Sequence, residues 1–395
     1  MTTTAETIGP PRTSVGALGW LKRNLFSPWY NALLSLISVW LIYSVGGQTV
    51  QWALTARWEV ITSNLRLFMV GSFPPDQVWR VWLVVTLASL LAGMSGGIGG
   101  RTARNIVFSL AASFGLFGVL SLAGGGYEWH FANVLAIGAG YLLTRGRAQW
   151  GRWVALAWLL AFFLTLFILY GIEKNEWLPL IGTDRWGGLL LTFLLSIVGI
   201  VFSFPLGVLL ALGRRSRMPM ISLFSTLYIE IVRGVPLVTV LFIAQIMVPL
   251  FLPEEMRLDR IMRAMAGVTL FAAAYMAENV RGGLQAVPSG QVEAAHALGL
   301  SDTLVTVFIV LPQALRVVIP PIVSLFIGLF KDTTLVAIVG LLDLLAVGKS
   351  VLAQPEFLGL QKEVYVFVAG VFFIFCYVMS YASYRLEIAL GVGKR

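Results

Sequence analysis

Long apolar runs separated by short polar stretches dominate the chain from residue 31 onward. An α-helix needs about 20 apolar residues to cross a bilayer, and most of the runs reach that length. Ten segments can be placed, at 31–50, 79–98, 105–124, 131–144, 153–171, 187–212, 219–250, 261–283, 316–345 and 364–390. The seventh and ninth exceed one crossing, so we expect each to include a tilted or extramembrane portion. The pattern predicts an all-α protein, a polytopic membrane helical bundle of about ten transmembrane helices.

The composition agrees with a membrane protein and excludes several other classes. Hydrophobic residues make up 58% of the 395 residues and charged residues only 12%, against about 25% charged residues in a typical soluble domain. So few charges would leave the surface of a soluble enzyme largely apolar. The single cysteine excludes a disulfide framework, and two histidines far apart in sequence argue against a histidine-rich metal site.

The net charge of +9 is distributed unevenly among the connecting stretches. Alternate stretches contain a single acid, Glu6, and thirteen basic residues: Arg12, Lys22, Arg23, Arg101, Arg104, Arg145, Arg147, Arg152, Arg214, Arg215, Arg217, Lys394 and Arg395. Basic loops of membrane proteins stay in the cytoplasm, so the pattern predicts that both termini and the loop 284–315 are cytoplasmic. Dispersed basic clusters also argue against nucleic-acid binding, which calls for a continuous basic face.

The distribution of charge suggests three parts. Residues 1–28 are predicted to be a disordered cytoplasmic tail, and residues 29–180 an N-terminal transmembrane extension of about five helices without charges in mid-run. Residues 181–395 contain charged residues within or at the edge of apolar runs, namely Glu230, Arg233, Glu278, Arg281, Lys331, Asp332 and Asp343. Ionisable groups are costly in lipid and therefore face a protein interior or a water-filled path. We expect the function to lie in residues 181–395.

Two short patterns typical of soluble enzymes occur, and neither fits its context. The sequence GMSGG at 93–97 matches the nucleophile elbow, which requires a strand-to-helix turn and a histidine partner. Here it ends an apolar segment, where glycines favour close helix packing. The sequence GKS at 348–350 resembles the end of a phosphate loop, but Asp343 stands where that loop needs glycine. The chain is therefore predicted to be no enzyme, and any ATPase that drives it must be another polypeptide.

A five-residue pattern occurs twice, as EIVRG at 230–234 and ENVRG at 278–282. In each copy a glutamate precedes an arginine by three positions, so the two side chains share one helix face and can pair. The favoured interpretation is two structural ion pairs, Glu230 with Arg233 and Glu278 with Arg281. The alternative is a direct role in substrate binding or gating.

The polar segment 287–301 predicts a short helix on the cytoplasmic side. Residues 288–290 (PSG) interrupt the preceding span, and Gly299 is placed to end the helix in a left-handed turn. Val292, Ala295 and Leu298 share one helix face and form a small apolar surface. Because so short a helix cannot bury this surface alone, we predict that it docks onto a partner.

The residues in and around this segment resemble a known family. Glu293–Ala294–Ala295, Gly299, Ile309 and Leu311–Pro312 are similar to the EAA signature of bacterial ABC importer permeases. Further motifs are similar to the polar amino acid permease family, namely Arg233–Leu237, Ala274–Glu278 and Lys331–Leu335. This resemblance covers roughly residues 185–395, and the long N-terminal half resembles the larger permease subunit of general L-amino acid systems.

The resemblance implies a transmembrane permease subunit of a binding-protein-dependent ABC importer that moves L-amino acids into the cytoplasm, with a five-helix importer core in residues 181–395. The implied partners are a cytoplasmic ATPase dimer that binds ATP and Mg, a second permease subunit that is a different chain, a periplasmic amino acid-binding protein, and the lipid of the bacterial inner membrane. The chain itself is expected to need no cofactor or metal. The short helix becomes a coupling helix near 289–299, and the residues expected to contact the ATPase are Gln291, Glu293, Ala294, Ala295, Leu298 and Gly299.

Polar residues near mid-span of the last five helices are candidates for a substrate path. They are Gln245, Tyr275, Glu278, Ser324, Lys331, Asp332, Thr333 and Thr334. An amino acid carries both charges, so its site needs a cation for the carboxylate and an acid for the ammonium. Lys331 and Asp332 offer both, but they could instead be an ion pair within the bundle. The alternative function is a stand-alone ion-coupled secondary amino acid transporter, which would need inverted repeats that the two dissimilar halves do not display.

Overall fold

A computed structural model describes residues 20–21, 24–122, 126–253 and 258–390. Most of the predicted tail 1–28 lies outside these residues, as do the basic residues Arg12, Lys22, Arg23, Lys394 and Arg395 used in the charge count. The described residues are largely helical, and their only β-pairing is two isolated bridges, Ile172 with Pro179 and Gly188 with Asp343. The prediction of an all-α fold is confirmed.

The chain divides into two compact units, Met1–Glu59 and Val60–Arg395. The first contains the long helix α1 (Trp29–Thr55), which has no buried residue. Helix α2 (Glu59–Thr62) begins at the boundary. The helices that follow in the second unit are α3 (Leu65–Val70), α4 (Trp79–Ile98), α5 (Arg101–Leu120), α6 (Tyr127–Thr144), α7 (Gly151–Tyr170), α8 (Gly188–Arg214), α9 (Pro219–Arg233), α10 (Leu237–Phe242), α11 (Val248–Phe251), α12 (Arg260–Ala286), α13 (Ser289–Ala297), α14 (Asp302–Leu304), α15 (Leu311–Asp332), α16 (Leu344–Leu352) and α17 (Gln361–Leu390).

The ten predicted segments all coincide with helices, although fewer than ten of these helices are both long and apolar enough to be assigned as spans on length and composition alone. Within the described ranges seven helices are long and apolar enough to cross a membrane, and the bent pair of α9 with α10–α11 makes eight. The other two segments form α6 and α12, whose length suffices. They fall below the others in hydropathy because α6 contains Glu128 and Asn133, and α12 contains Arg263 and Glu278.

Neither of the two overlong segments is a single straight α-helix. Between α9 and α10 the chain bends by 108°, because Pro236 lacks an N–H and disfavours helical geometry at Val235. The ninth segment ends as α15 at Asp332 and continues as a 3₁₀ helix, Thr333–Val339. The expectation that each contains more than a straight span agrees with these breaks.

In the N-terminal half, helices α4 and α6 pack at backbone distance. A Cβ atom built on Gly93 would lie 2.2 Å from the carbonyl oxygen of Ile137, so only glycine fits. The neighbouring Ser95 lies within α4, where its hydroxyl donates to Leu91 O and accepts from Trp158 Nε1. The GMSGG pattern is therefore a helix-packing site, as its position indicated, and Ser95 has no basic partner.

A fully buried arginine joins the start of α4 to the segment after α7. Arg80 Nε donates to Gln77 Oε1 at 2.8 Å, and its Nη2 donates to Pro179 O at 2.9 Å. These bonds satisfy the guanidinium inside the protein, which would otherwise be costly in an apolar environment. Because Arg80 stands at the edge of an apolar run, the sequence alone gives no signal of this role.

The GKS pattern lies in the middle of helix α16 rather than in a phosphate-binding loop. Asp343, fully buried, caps α16 by accepting from the N–H groups of Leu345 at 3.0 Å and Ala346 at 3.1 Å. Asp343 lies between the last two spans, and burial raises its pKa to about 6. Its role is to start a helix.

Candidate functional site

The segment predicted to be a coupling helix forms α13, which begins directly after Pro288. Gly299 has a φ of +79°, and its N–H donates to His296 O at 2.9 Å, while Leu300 N–H donates to Ala295 O at 3.2 Å. These two bonds and the left-handed glycine define a Schellman motif. Both the short helix and the turn that ends it are as the sequence predicted.

The side of α13 that faces away from the protein differs from the expected one. Ala295 is buried and Val292 is partly buried, because they join a core cluster that also contains Leu284 at the end of α12 and Val305 beyond the turn. Leu298, the third residue of the expected apolar face, is 83% exposed. The predicted face is therefore wrong: it is mostly covered by the chain itself. The predicted contact residues that are exposed are Gln291, Glu293, Ala294, Leu298 and Gly299.

Two loops predicted to share one side of the membrane meet beside α13. Arg217 Nη2, in the loop between α8 and α9, lies 2.9 Å from Asp302 Oδ2, just after α13. His296 Nε2 approaches the other oxygen of Asp302 at 3.6 Å. Both loops therefore lie at one end of the bundle. These pairs are exposed and stabilise the fold little, but they show that the two loops lie next to each other.

A network of three arginines and two glutamates lies at the ends of α8, α9 and α12, and we call it the arginine network; its members are Arg214, Glu230, Arg233, Glu278 and Arg281. Glu278 is its centre, since it lies 3.7 Å from Arg214 and 3.5 Å from Arg233 and also contacts Arg281. Glu230 pairs with Arg214 at 2.9 Å. The predicted pair of Glu278 with Arg281 is confirmed.

The predicted pair of Glu230 with Arg233 is replaced by pairs between helices. Helix α9 ends at Arg233, next to the bend, and there Arg233 reaches across to Glu278 on α12 while Glu230 turns to Arg214 on α8. The arginine network thus joins three helices rather than one. Sequence spacing gives the neighbours along a helix but not those on adjacent helices, which explains the error.

The arginine network has more positive than negative charge, and its arginines are not saturated. Arg214 Nη1 and Arg233 Nε are buried without a hydrogen-bond partner. The guanidinium of Arg233 also lies 5.7 Å from the ring centre of Tyr275, a cation–π arrangement. An anionic group such as a carboxylate could be accepted here.

The structure does not bring the eight predicted path residues together. Glu278 belongs to the arginine network and Tyr275 lies next to it, against Arg233. Gln245 Nε2 instead donates to Arg260 O at 2.5 Å, at the opposite end of α12. Eighteen residues of helix separate Arg260 from Glu278, a rise of about 27 Å. Gln245 and Glu278 therefore cannot contact one small substrate at the same time.

The remaining path residues lie at the end of α15. Ser324 and Lys331 are exposed and seven residues apart, so they follow one stripe of the helix. Thr333 is buried and its hydroxyl donates to Phe330 O at 2.7 Å, while Thr334 donates to Lys331 O at 2.9 Å. Each threonine hydroxyl is thus bound to the backbone of its own helix end, and Thr334 is the less buried of the two.

Lys331 and Asp332 do not form the ion pair that was left open as their alternative role. Across the described ranges the ion pairs involve neither residue. Lys331 points away from the packed core, whereas Asp332 is partly buried. A lysine on the surface of an apolar helix requires water or a partner molecule.

Two π-helical turns near these residues were not predicted from the sequence. They span Ile243–Met247, which contains Gln245, and Val305–Val310, which precedes α15. Each ends shortly before a proline, Pro249 or Pro312. A proline inside a helix removes one backbone bond and crowds the carbonyl four residues earlier, so an apolar run that contains proline is the signal that could have located them.

Comparison with known proteins identifies relatives. The family described as "Binding-protein-dependent transport system inner membrane component" matches residues 203–387, which include α13 and the arginine network. The inner membrane amino-acid ABC transporter permease protein YhdY of Escherichia coli (strain K12) is 37% identical, over 98% of this chain and 97% of that protein. The glutamate/glutamine/aspartate/asparagine transport system permease protein BztC of Rhodobacter capsulatus is 39% identical, over 98% of this chain and 96% of that protein.

Among solved structures, a crystal structure of an amino acid ABC transporter with histidines aligns with a TM-score of 0.46 and 26% identity, over 51% of this chain and 92% of that one. The full-length relatives are the decisive comparison, because their identity extends across both the N-terminal extension and the C-terminal half. The chain therefore belongs to the family of inner-membrane permease components of binding-protein-dependent ABC transport systems.

Proposed function

We propose that this chain is one permease subunit of an importer that carries L-amino acids into the cytoplasm, and that α13 is where the ATPase engages it. The observation that carries this proposal is that α13 is buried on one side and exposed on the other. One side is fixed to the core through Ala295, and the other presents Glu293 and Leu298 to the exterior. A helix that is anchored on one side and exposed on the other can transmit a push from a partner into the bundle.

The substrate class follows from the two relatives. Both are named as permeases for amino acids, and this chain aligns with nearly the whole length of each. In the proposed assembly an ATPase dimer binds ATP and Mg, and a periplasmic binding protein delivers the amino acid. The basic loops that include Arg214, Arg215 and Arg217 lie in the cytoplasm together with α13. None of the observations favours the alternative of a stand-alone ion-coupled carrier.

The exposed stripe of α15 supports a second permease subunit and a substrate path along it. Ser324 and Lys331 present polar groups on the mostly apolar second half of the helix, and this chain leaves them uncovered. A second permease packed on this side would enclose them. The ammonium of Lys331 or the arginine network could then receive a substrate carboxylate, and Glu278 or Asp332 the substrate ammonium. We expect the second subunit to be a different chain.

The proposal is tested with charge reversals in the transporter reconstituted with its partner subunits. Glu293→Lys should abolish uptake of a labelled amino acid and its coupled ATP hydrolysis, because it changes the exposed side of α13 without touching the core. Glu176→Lys is the matched control, since Glu176 is an exposed acid in the N-terminal half. Competition by neutral, acidic and basic amino acids in the same assay defines the substrate range.

Two results would contradict the proposal. Unchanged uptake in the Glu293→Lys transporter would exclude α13 as the ATPase contact. A label attached to α13 verifies in the same experiment that the complex is assembled. Uptake by the purified chain alone under an ion gradient would instead support the secondary carrier. Loss of uptake in the Glu176→Lys control would show that charge reversal is damaging wherever it is made.

A further inference from the structure

A cavity of about 300 Å³ lies between the N-terminal end of α5 and the C-terminal part of α17. It is lined by Arg101, Thr102 and Asn105 from α5 and by Tyr381 and Arg385 from α17. None of these residues belongs to α13, to the arginine network or to the α15 stripe. The proposed transport function therefore leaves the cavity unexplained.

One of the two arginines is held in a fixed orientation by a neighbour. Arg385 Nε donates to the hydroxyl oxygen of Tyr381 at 3.0 Å, and the guanidinium lies 5.0 Å from the Tyr381 ring centre. Tyr381 is one helical turn earlier on α17, so the contact fixes the direction of the guanidinium plane. This contact uses the Nε group, and the two Nη groups of an arginine can donate in parallel to one phosphate.

The cavity is positively charged. Across the described ranges, no carboxylate forms an ion pair with Arg101 or Arg385. The nearest acid along α17 is Glu387, whose carboxylate accepts a hydrogen bond from Ser383 at 3.0 Å. Helix α5 also begins at Arg101 without a side-chain cap, so its positive end adds to the two guanidinium charges. The favoured occupant is an anion.

The surroundings of the cavity identify the kind of anion. Both helices are candidate membrane spans, and farther along them large apolar side chains are exposed, such as Phe108 on α5 and Val378 on α17. An occupant with a negatively charged head and apolar chains matches both surfaces, whereas a free anion would match only the basic end. Basic cavities between spans at the membrane surface are suited to acidic lipid headgroups.

We propose that this cavity binds the phosphodiester headgroup of an anionic phospholipid. Arg385 and Arg101 hold the phosphate from two helices, Thr102 and Asn105 offer further donors, and the acyl chains follow the apolar surface of α5 and α17. The bound lipid thereby joins the N-terminal half to the last helix. The site stands on its own geometry and does not depend on the substrate of the transporter.

The test measures lipid binding to the full-length chain in detergent by native mass spectrometry. The probes are phosphatidylglycerol and phosphatidylcholine with identical acyl chains, and the quantity is the ratio of their dissociation constants. Each arginine near an anionic headgroup contributes about fivefold, so R101Q and R385Q should each reduce the preference for phosphatidylglycerol about fivefold. R104Q is the matched control, because Arg104 is exposed on the same turn of α5 but does not line the cavity.

A second variant keeps the test informative if either substitution impairs folding. Y381F removes the hydroxyl that orients Arg385 but keeps the ring and every charge, and it should also weaken the preference for phosphatidylglycerol. An equal loss in R104Q and R101Q would overturn the proposal in favour of diffuse surface charge. Complete displacement of phosphatidylglycerol by millimolar inorganic phosphate, or no headgroup preference in the unmodified chain, would overturn it as well.

Discussion

The left-handed turn at Gly299 gives a sharp test of how α13 is built. At φ +79° an L-residue is strained by its own Cβ atom and backbone. No heavy atom lies within 4 Å of the position where a Cβ on Gly299 would stand. Substitution by alanine therefore adds backbone strain without a collision with neighbours, so any loss of stability reports the strain alone.

The expected magnitude follows from this geometry. Gly299→Ala should destabilise the end of α13 by about 1–2 kcal/mol, and Gly299→Asn by less, because asparagine tolerates the left-handed region. Gly290 lies in the same helix, also with open space around its Cβ position, but with φ in the ordinary range. Gly290→Ala should therefore leave α13 unchanged or stabilise it by about 0.5–1 kcal/mol.

Amide hydrogen exchange of residues 289–300 measures these differences locally. A cost of 1–2 kcal/mol corresponds to an increase of about fivefold to thirtyfold in the opening of α13, with the remaining helices unaffected. If α13 is the contact for the ATPase, coupled ATP hydrolysis falls in the order of glycine, asparagine and alanine at position 299. Equal exchange in Gly299→Ala and Gly290→Ala would refute the assigned turn, since only one of the two positions is left-handed.

Three further predictions concern the rest of the fold. Glu278→Gln should lower the free energy of unfolding by about 2–3 kcal/mol because it leaves Arg233 and Arg281 without their paired carboxylate. Glu230→Gln, at a more exposed carboxylate, should cost less than about 1 kcal/mol, and thermal unfolding in detergent compares the two variants. Gly93→Ala should cost about 1–3 kcal/mol by forcing α4 from α6, whereas Gly138→Ala, in open space, should not lower the melting temperature. Asp343→Ala should lose about 1 kcal/mol of capping. Because the raised pKa of Asp343 makes its ionisation unfavourable in the fold, stability relative to Asp343→Asn should fall as pH rises from about 4 through 6; a gap that is independent of pH would contradict this.

Local features of the fold could be predicted from the sequence because short-range physics determines them. The apolar runs, the helix after Pro288 and the turn at Gly299 depend on residues within one or two turns. The buried face of α13 could not be predicted, because Leu284 and Val305 are brought to it only by the fold. The same reason explains why Glu230 pairs with Arg214 on another helix.

The burial of Ala295 changes how α13 can act on the bundle. A helix attached only by its ends could move without moving its neighbours, but α13 shares one packed core with Ile229 on α9, Val280 on α12 and Val318 on α15. Protein cores are close-packed and transmit displacement instead of absorbing it. We therefore expect a push on α13 to shift α12 and α15 together, and with them the arginine network and the stripe that contains Lys331. The proposed ATPase contact and the polar residues of the membrane region are then coupled through packing, with no need for a continuous chain of polar contacts between them.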